Sequence, residues 1–246
     1  MTKIIAEIGW NHMGDMELAK KMIKAAHESG ASYAKFQTWS VSRLRDGEWD
    51  SDGRRQIYEK AELSKEDHVL LIDYCKEVGI KFLSSVFSVD RLEYLIKYCN
   101  DHFKTVYMST GTSKWSELKD SVELLPNTRL VLMHCVSSYP AEYSSANISK
   151  LRFLKMLGSN IGYSDHIFGV ESCKVAMAYG VEVIEKHFTI DRDLPGRDNK
   201  FAILPEEMKQ LSDYIKLHDD MHVFHGLDFQ PCEESSRDQY AGRFNK

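Results

Sequence analysis

The stretch NIGYSDHIFGVESCKVAMAYGVEVIEKHFTIDRD (residues 160–193) holds two short apolar runs, and each run ends in a histidine. His166 closes IGYSDH, and His187 closes VEVIEKH. The residues between them have the length and spacing of a helix, so the stretch predicts a strand, a helix and a second strand. A lone histidine at the end of a strand is usually structural. Two in successive strands, each in phase with another polar residue, indicate a shared site at one end of a sheet.

The alternation of strand and helix extends over most of the chain. Asp15 can cap the first helix and Gly30 follows it, while Ser64 and Asp67 resemble a capping box. Strict alternation predicts a parallel sheet with right-handed crossovers. The predicted strands are 3–9, 32–38, 80–87, 104–110, 129–135, 161–165 and 181–188. The predicted helices are 15–29, 64–78, 88–98, 114–125, 147–157, 168–179 and 205–222.

An open doubly wound sheet and a closed barrel both fit this alternation. A doubly wound sheet concentrates its site at one switch point, whereas a barrel gathers all its strand ends around one mouth. Polar residues end nearly every run, so the favoured fold class is α/β, a TIM-type (β/α) barrel, here with seven predicted strands. We assign the barrel to residues 1–227 and a polar tail to 228–246. The long polar segment 40–63 predicts a loop over the mouth.

Composition excludes several classes of protein. The net charge of -5 and a pI near 6.1 give no electrostatic footprint for nucleic acid. No apolar run approaches the ~20 residues that a membrane span needs. The first residues enter a strand at once and do not resemble a secretion signal. Five scattered cysteines fit reduced thiols, so we expect a cytoplasmic protein without a nucleic-acid or membrane partner.

Strand parity divides the side chains into two sets, because residues two apart in a strand share a face. Ile4, Ile8 and Phe36 then face the helices, and the polar residues of the other parity face the barrel interior. Buried charges persist only when they are paired or liganded, so this inward set predicts both an anion and a cation in the mouth. A solvated barrel rim is the plainer alternative. The inward polar residues are Glu7, Lys35, Gln37, Ser164, His166, Glu185 and His187.

The inward residue types suggest their chemistry. His166 and His187 form a candidate metal pair that leaves coordination positions open for substrate and water, as a catalytic site requires. Imidazole with oxygen ligands suits Mn²⁺ or another divalent ion such as Mg²⁺ or Co²⁺. Lys35 and Lys104 are candidates for binding a phosphate or carboxylate. Glu7 and Glu185 could move protons or orient a sugar hydroxyl.

Eight motifs together resemble the sialic acid synthase (N-acetylneuraminate synthase) family. They occur in family order from residue 4 to about residue 205, and one of them, STGTS (109–113), also offers hydroxyls and backbone N–H groups before a helix. The other seven are IIAEIGWNHMGDMELA, AKFQTW, FLSSVF, LMHCVSSYP, GYSDH, EKHFT and LPGRDNKF.

The resemblance implies a (β/α)8 barrel that condenses phosphoenolpyruvate with an N-acyl hexosamine or its 6-phosphate. The products are a nine-carbon 2-keto sugar acid and phosphate. By this resemblance His166 and His187 carry the divalent metal. The residues implied to contact phosphoenolpyruvate are Lys35, Ser85, Lys104, Ser109, Ser137 and Ser164. Those implied on the sugar side are Glu7, Gln37, Tyr139 and Asp198, with Arg197 as a further candidate.

By this resemblance, we expect the chain to depart from the family pattern in four respects. We expect about one β-α unit to be missing before TVYMSTG. We also expect no counterpart of the C-terminal antifreeze-like domain, which in the family lends an arginine to the partner subunit's sugar site. The usual PGPDH loop reads PGRDN, which introduces Arg197 and Asn199, and the usual N-terminal hairpin is also missing.

The function expected from the sequence is therefore a phosphoenolpyruvate-dependent, metal-dependent synthase, acting as a homodimer. N-acetylmannosamine, a diacetamido-trideoxyhexose leading to legionaminic or pseudaminic acid, and a phosphorylated hexosamine all stay open as acceptors. Two rivals stay open as well. One is a degenerate, non-catalytic relative that binds a sugar or a partner protein, and the other is a metal-dependent aldolase that uses pyruvate.

Overall fold

A single parallel sheet of seven strands organises the computed structural model, which describes residues 2–87, 103–126, 128–158 and 160–243. The strands are β1 (Lys3–Gly9), β2 (Tyr33–Thr38), β3 (Lys81–Val86), β4 (Thr105–Ser109), β5 (Arg129–Cys135), β6 (Asn160–Asp165) and β7 (Val183–His187). The α-helices of the described residues are α1 (Met16–Glu28), α2 (Arg54–Ala61), α3 (Lys65–Val78), α4 (Trp115–Glu123), α5 (Lys150–Lys155), α6 (Glu171–Met177), α7 (Pro205–Met221) and α8 (Glu234–Tyr240).

The strand order is that of a barrel. It runs β3-β2-β1-β7-β6-β5-β4, so the last strand returns to pair with the first. Each strand also neighbours its successor in sequence, apart from β3 and β4, which lie at the two ends of the described sheet. A doubly wound sheet does not bring its first and last strands together in this way. The TIM-type fold predicted from the sequence is confirmed, with seven strands in the described part of the chain.

Contacts across the interior show how strongly the sheet curls. Tyr33 on β2 and Tyr107 on β4 lie five strand spacings apart along the sheet, which would separate them by about 24 Å if the sheet were flat. Their ring centroids are 6.2 Å apart, and their hydroxyl oxygens are 3.5 Å apart. Ile5, Val131 and Val183 join the same interior cluster. The lower part of the barrel is therefore a packed core.

The opposite face of each strand packs on the helices, as strand parity predicts. Ile4, Ile8 and Phe36 are at most 2% exposed and belong to the larger cluster, together with Met22 and Leu211 from α1 and α7. This outer layer buries most of the apolar side chains, and it leaves the inward parity free for polar groups near the carboxyl ends of the strands.

Most predicted helix boundaries agree with the structure because local signals fix them. The carboxylate of Asp15 accepts from the backbone N–H groups of Glu17 and Leu18 at 2.9 and 3.0 Å. Ser64 and Asp67 form the predicted capping box. Gly79 ends α3 with a φ of +91°, a conformation that glycine adopts without strain.

Two segments contain more regular secondary structure than the sequence indicated. The segment 40–63 is not an irregular loop, because it contains α2 and the short 3₁₀ turns Val41–Arg43 and Glu48–Asp50. The tail contains the 3₁₀ turn Pro231–Glu233 and α8, and its described residues, 228–243, lie at the surface apart from the half-buried Gln230. The predicted helix 88–98 lies outside the described residues. Within the described ranges, no helix is long and apolar enough to cross a membrane.

Candidate functional site

A lysine between two glutamates lies at the centre of the barrel mouth. The Nζ atom of Lys35 is 2.7 Å from Oε2 of Glu185 and 3.2 Å from Oε2 of Glu7. The three come from β2, β7 and β1, which are neighbours in the sheet. Gln37 donates to Oε1 of Glu7 at 2.6 Å, and Ser164 donates to Oε1 of Glu185 at 2.8 Å. Five residues that strand parity placed inward therefore form one network.

The two glutamates of this network have opposite pKa shifts. Burial, reinforced by the nearby charge of Glu185, raises the pKa of Glu7 to about 8. Burial also acts to raise the pKa of Glu185, but the adjacent Lys35 ammonium outweighs it, and the pKa of Glu185 is lowered. At neutral pH the structure thus holds one protonated and one ionised carboxyl group on either side of a lysine, the arrangement of an acid and base pair.

His166 and His187 lie side by side above this network, with ring centroids 5.3 Å apart. Nδ1 of His166 is 2.8 Å from the carbonyl oxygen of Val136. Because a carbonyl oxygen can only accept, Nδ1 carries the proton and Nε2 keeps its lone pair. Nδ1 of His187 is buried without a hydrogen-bond partner and lies 3.6 Å from Oδ2 of Asp198. Burial lowers the pKa of both histidines, so both are neutral at pH 7.

The pair fits a metal ion that takes only two ligands from the protein. Among the described residues, no group of three or more His, Cys, Asp and Glu side chains has the arrangement of a metal site. Two neutral imidazoles, one already fixed through Nδ1 to a backbone carbonyl, still match the usual pattern of a catalytic ligand and its outer partner. The remaining positions would be filled by water and substrate.

Hydroxyl groups gather beside the histidines around Cys135 on β5. The Sγ atom of Cys135 is 3.8 Å from Oγ of Ser137 and 3.8 Å from Nδ1 of His166. Ser109 and Ser164 also interact with this thiol. Gly111 allows the approach of the STGTS loop, because a Cβ there would lie 2.3 Å from Oγ of Ser137.

One predicted site residue is not brought to the mouth. Lys104 precedes β4, at the amino end of that strand, and its side chain is exposed. Ser109 ends the same strand, so Lys104 lies roughly 16 Å away along it, at the opposite end of the barrel. Ser85, by contrast, lies on the inward parity of β3, opposite Gln37 of β2. The prediction of Lys104 at the mouth is wrong because β4 begins at the next residue, so this strand brings Ser109 and not Lys104 to its carboxyl end.

A cavity of about 350 Å³ opens next to His187, with Gln37, Tyr139, Asp198 and Arg197 in its wall. The ring of Tyr139 lies 4.2 Å from that of His166, and its carbonyl oxygen is 3.5 Å from Nη2 of Arg197. Trp10 donates to Oδ2 of Asp198 at 2.7 Å. Burial raises the pKa of Asp198 to about 6. Four of the five predicted sugar-side residues thus line one cavity, and the fifth, Glu7, is hydrogen-bonded to one of them, Gln37.

Sequence reasoning missed the aromatic side of this cavity. Trp10, Trp39 and Tyr58 pack together, with ring centroids 5.1 to 6.1 Å apart. Phe87 and Arg54 complete the lining on this side. A signal was present, since Trp10, Trp39 and Phe87 directly follow β1, β2 and β3, where a barrel exposes its mouth. Tyr58 and Arg54 lie on α2, and no local pattern pointed to them.

Comparison with known proteins assigns the chain to a family. The model described as "NeuB family" matches residues 22–105 and 93–222. The N,N'-diacetyllegionaminic acid synthase of Legionella pneumophila is 33% identical over 87% of this chain and 71% of its own length. This chain belongs to the NeuB family. A pseudaminic acid synthase of Campylobacter jejuni is 31% identical over 87% of this chain and 72% of its own.

A solved structure of the NeuB family agrees with the fold. The N-acetylneuraminic acid (sialic acid) synthetase from Leptospira borgpetersenii, in complex with citrate, superposes with a TM-score of 0.86 at 30% identity. The match covers 100% of this chain and 93% of that one. The two segments matched by the family model overlap at residues 93–105, where the sequence predicts a missing β-α unit. The relatives are synthases of sugar acids, and the barrel is the scaffold that they share.

Proposed function

We propose that this protein joins phosphoenolpyruvate to an N-acyl hexosamine, releasing phosphate and a nine-carbon 2-keto sugar acid. In this reaction C3 of phosphoenolpyruvate bonds to the aldehyde carbon of the open-chain sugar, water adds at C2, and the phosphate leaves with its C–O bond broken. The observation that carries the proposal is Lys35, held between Glu7 and Glu185 beside two neutral histidines.

Charge balance supports a divalent cation in the mouth. The positive charge of Lys35 is cancelled by Glu185, Glu7 is protonated at neutral pH, and both histidines are neutral. These inward groups offer no net positive charge to a trianionic substrate. We therefore propose that His166 and His187 hold Mn²⁺, with Mg²⁺ and Co²⁺ as alternatives. A bound ion of this kind supplies Lewis-acid polarisation of the aldehyde oxygen.

The residues of the chain divide into two proposed subsites. Lys35 and the hydroxyl groups of Ser85, Ser109, Ser137 and Ser164 would bind phosphoenolpyruvate. Gln37, Tyr139, Asp198 and Arg197 would bind the sugar, whose apolar ring face can pack against the aromatic wall. Three of these hydroxyls, on Ser109, Ser137 and Ser164, lie beside Cys135, whereas the other set lines the cavity, and this separation supports the division.

The glutamates supply the proton transfers. Oε2 of Glu7 lies 3.2 Å from Nζ of Lys35, and Glu7 is the proposed acid that gives its proton to a substrate oxygen. Glu185 is ionised and accepts from Ser164, and it is the proposed base for the water that adds at C2. Removing bulk water from the mouth strengthens both interactions, since charges act over a lower local dielectric there.

A phosphate-release assay tests the proposal. Phosphoenolpyruvate and Mn²⁺ would be offered with N-acetylmannosamine, a diacetamido-trideoxyhexose and an N-acyl hexosamine 6-phosphate in separate reactions. We expect phosphate release with at least one acceptor, and none from a His187→Ala control. Product formed from pyruvate instead would indicate an aldolase. Sugar binding without phosphate release under any condition would indicate a non-catalytic relative.

A further inference from the structure

A buried ion pair lies directly behind the two histidines, on the helix-facing side of the sheet. The Nζ atom of Lys186 is 3.0 Å from Oδ2 of Asp165, and the two side chains are 1% and 0% exposed. The two residues are partners in the β6–β7 ladder, and each immediately precedes a histidine, His166 or His187. Neither belongs to the network around Lys35, because strand parity turns them to the opposite face.

The pair is fully bonded, and two of its bonds hold the backbone next to His166. Oδ1 of Asp165 accepts from the N–H of Ile167 at 3.1 Å, and Lys186 donates to the carbonyl oxygen of the same residue. Tyr163 donates to Oδ1 at 3.0 Å, and Ser172 donates to Oδ2 at 2.6 Å. Both polar groups of the residue that follows His166 are therefore bound by one ion pair.

Stability alone does not account for this arrangement. Desolvating two charges is costly, and replacing a buried ion pair with neutral side chains of similar volume is often neutral or stabilising. The pair instead constrains the backbone next to the two histidines. It connects β6 to β7 one residue before each histidine, and it fixes the peptide one residue after the first.

We infer that Asp165 and Lys186 are positioning residues that set the orientations of His166 and His187 for metal binding. The inference rests on the proposed synthase function only in assigning the metal to these histidines. Outer partners of metal ligands commonly change metal affinity about 10- to 100-fold when they are removed. The pair would act through the backbone and not through contact with the metal or the substrate.

Metal affinity separates positioning from folding. The dissociation constant of Mn²⁺ would be measured by calorimetry on metal-free wild type, Lys186→Met, and the charge-neutral double variant Asp165→Asn with Lys186→Met. We expect at least about tenfold weaker binding in both variants. The double variant should keep a melting temperature near that of wild type, since it leaves no unpaired buried charge.

Ile184→Ala is the matched control. Ile184 lies on the same face of β7, two residues before Lys186, and is fully buried. It belongs to the outer apolar cluster, whereas Ile167, whose backbone the ion pair binds, belongs to a separate cluster. We expect it to lower the melting temperature and leave Mn²⁺ affinity within about twofold of wild type, because the cavity it creates lies away from the histidines.

Three results would overturn the positioning role: Mn²⁺ affinity unchanged in the double variant, equal weakening in Ile184→Ala, or no Mn²⁺ binding by wild type. Phosphate release measured on the same samples keeps the two proposals apart. If wild type binds Mn²⁺ and the variants bind it weakly, but no acceptor yields phosphate, then the synthase proposal fails and the positioning role stands.

Discussion

At the scale of single residues, the two histidines carry the most direct prediction. His166→Ala and His187→Ala should each abolish Mn²⁺ retention and synthase activity while unfolding remains cooperative, because both rings lie at the mouth above the packed interior. Metal content after chelation and reloading, together with a urea unfolding curve, checks this. If both variants retained as much Mn²⁺ as wild type, the metal would have to bind elsewhere.

Lys35 is a structural as well as a functional charge. Its replacement by methionine leaves the buried Glu185 carboxylate without its cation, and breaking a buried pair in this way typically costs about 3–5 kcal/mol. We expect Lys35→Met to lower the free energy of unfolding at pH 7 by about that amount. The exposed lysine of α1, Lys21→Met, should change it by less than about 0.5 kcal/mol. A loss in Lys35→Met no larger than in this control would contradict the buried pairing.

Glu7 predicts a pH dependence of stability with a definite sign. Its pKa rises from 4.5 to about 8 on folding, so its contribution is present below pH 4.5 and is lost as the pH rises through 8. The charged side chains that face Glu7 are those of Lys35 and Glu185. Between pH 6 and 8 the free energy of unfolding of the metal-free wild type should fall by about 2 kcal/mol more than that of Glu7→Gln, whose side chain cannot ionise. Urea unfolding of both proteins at both pH values measures this difference. If the free energy of unfolding fell by the same amount in both proteins, Glu7 would not carry a proton at neutral pH.

At the scale of elements, helix α2 contributes Arg54 and Tyr58 to the cavity proposed for the sugar. Helix α2 buries only Ala61 fully, so it has little amphipathic pattern to find in the sequence. It is held in place by Tyr58, which packs against Trp10 and Trp39 from the ends of β1 and β2. That packing brings Arg54 to the cavity that Arg197 lines from the other side.

These two arginines predict a preference for an anionic acceptor. Arg197→Ala should raise the KM for an N-acyl hexosamine 6-phosphate about fivefold, as expected for one hydrogen bond, with a smaller effect on the neutral sugar. Arg54→Ala should act in the same direction. Arg55→Ala is the matched control, because each of these neighbouring arginines of α2 pairs with an aspartate, Arg54 with Asp52 and Arg55 with Asp50, but only Arg54 lines the cavity. Unchanged KM values in Arg197→Ala would remove the preference.

At the scale of the whole molecule, the described sheet has two edges. In the described ranges β3 pairs only with β2 and β4 only with β5, so each strand has one side without a ladder partner. Natural proteins cover or pair such edges. Phe87 and Phe103, next to these edges, are 59% and 54% exposed.

We therefore predict a homodimer in which a neighbouring surface, or the segment 40–63, covers the side near residues 88–110. Part of that range, 88–102, lies outside the described residues. Any positive group that completes the sugar site would then come from this chain's own loops, as Arg54 and Arg197 do. Light scattering combined with turnover assays checks the prediction. A monodisperse monomer with full synthase activity would contradict it.

The sequence by itself determined the barrel and the centre of its site. Strand parity is a local, period-two property, so Glu7, Lys35, Gln37, Ser164 and Glu185 could be placed on one face before any contact was known. Capping residues likewise fixed the helix boundaries to within a few residues. The strand ends of a barrel converge, and for that reason separate local signals pointed to the same mouth.

Only the tertiary structure decided which residues meet across that mouth. Lys104 lies at the opposite end of the barrel because β4 begins at the next residue. Arg54 and Tyr58 of α2 line the cavity because Tyr58 packs against Trp10 and Trp39, which follow β1 and β2. Asp165 and Lys186 form an ion pair across the β6–β7 ladder. The last two contacts join residues that are distant in the chain. Sequence spacing does not give the spatial distance between such residues, because that distance is set only when the sheet closes around its core.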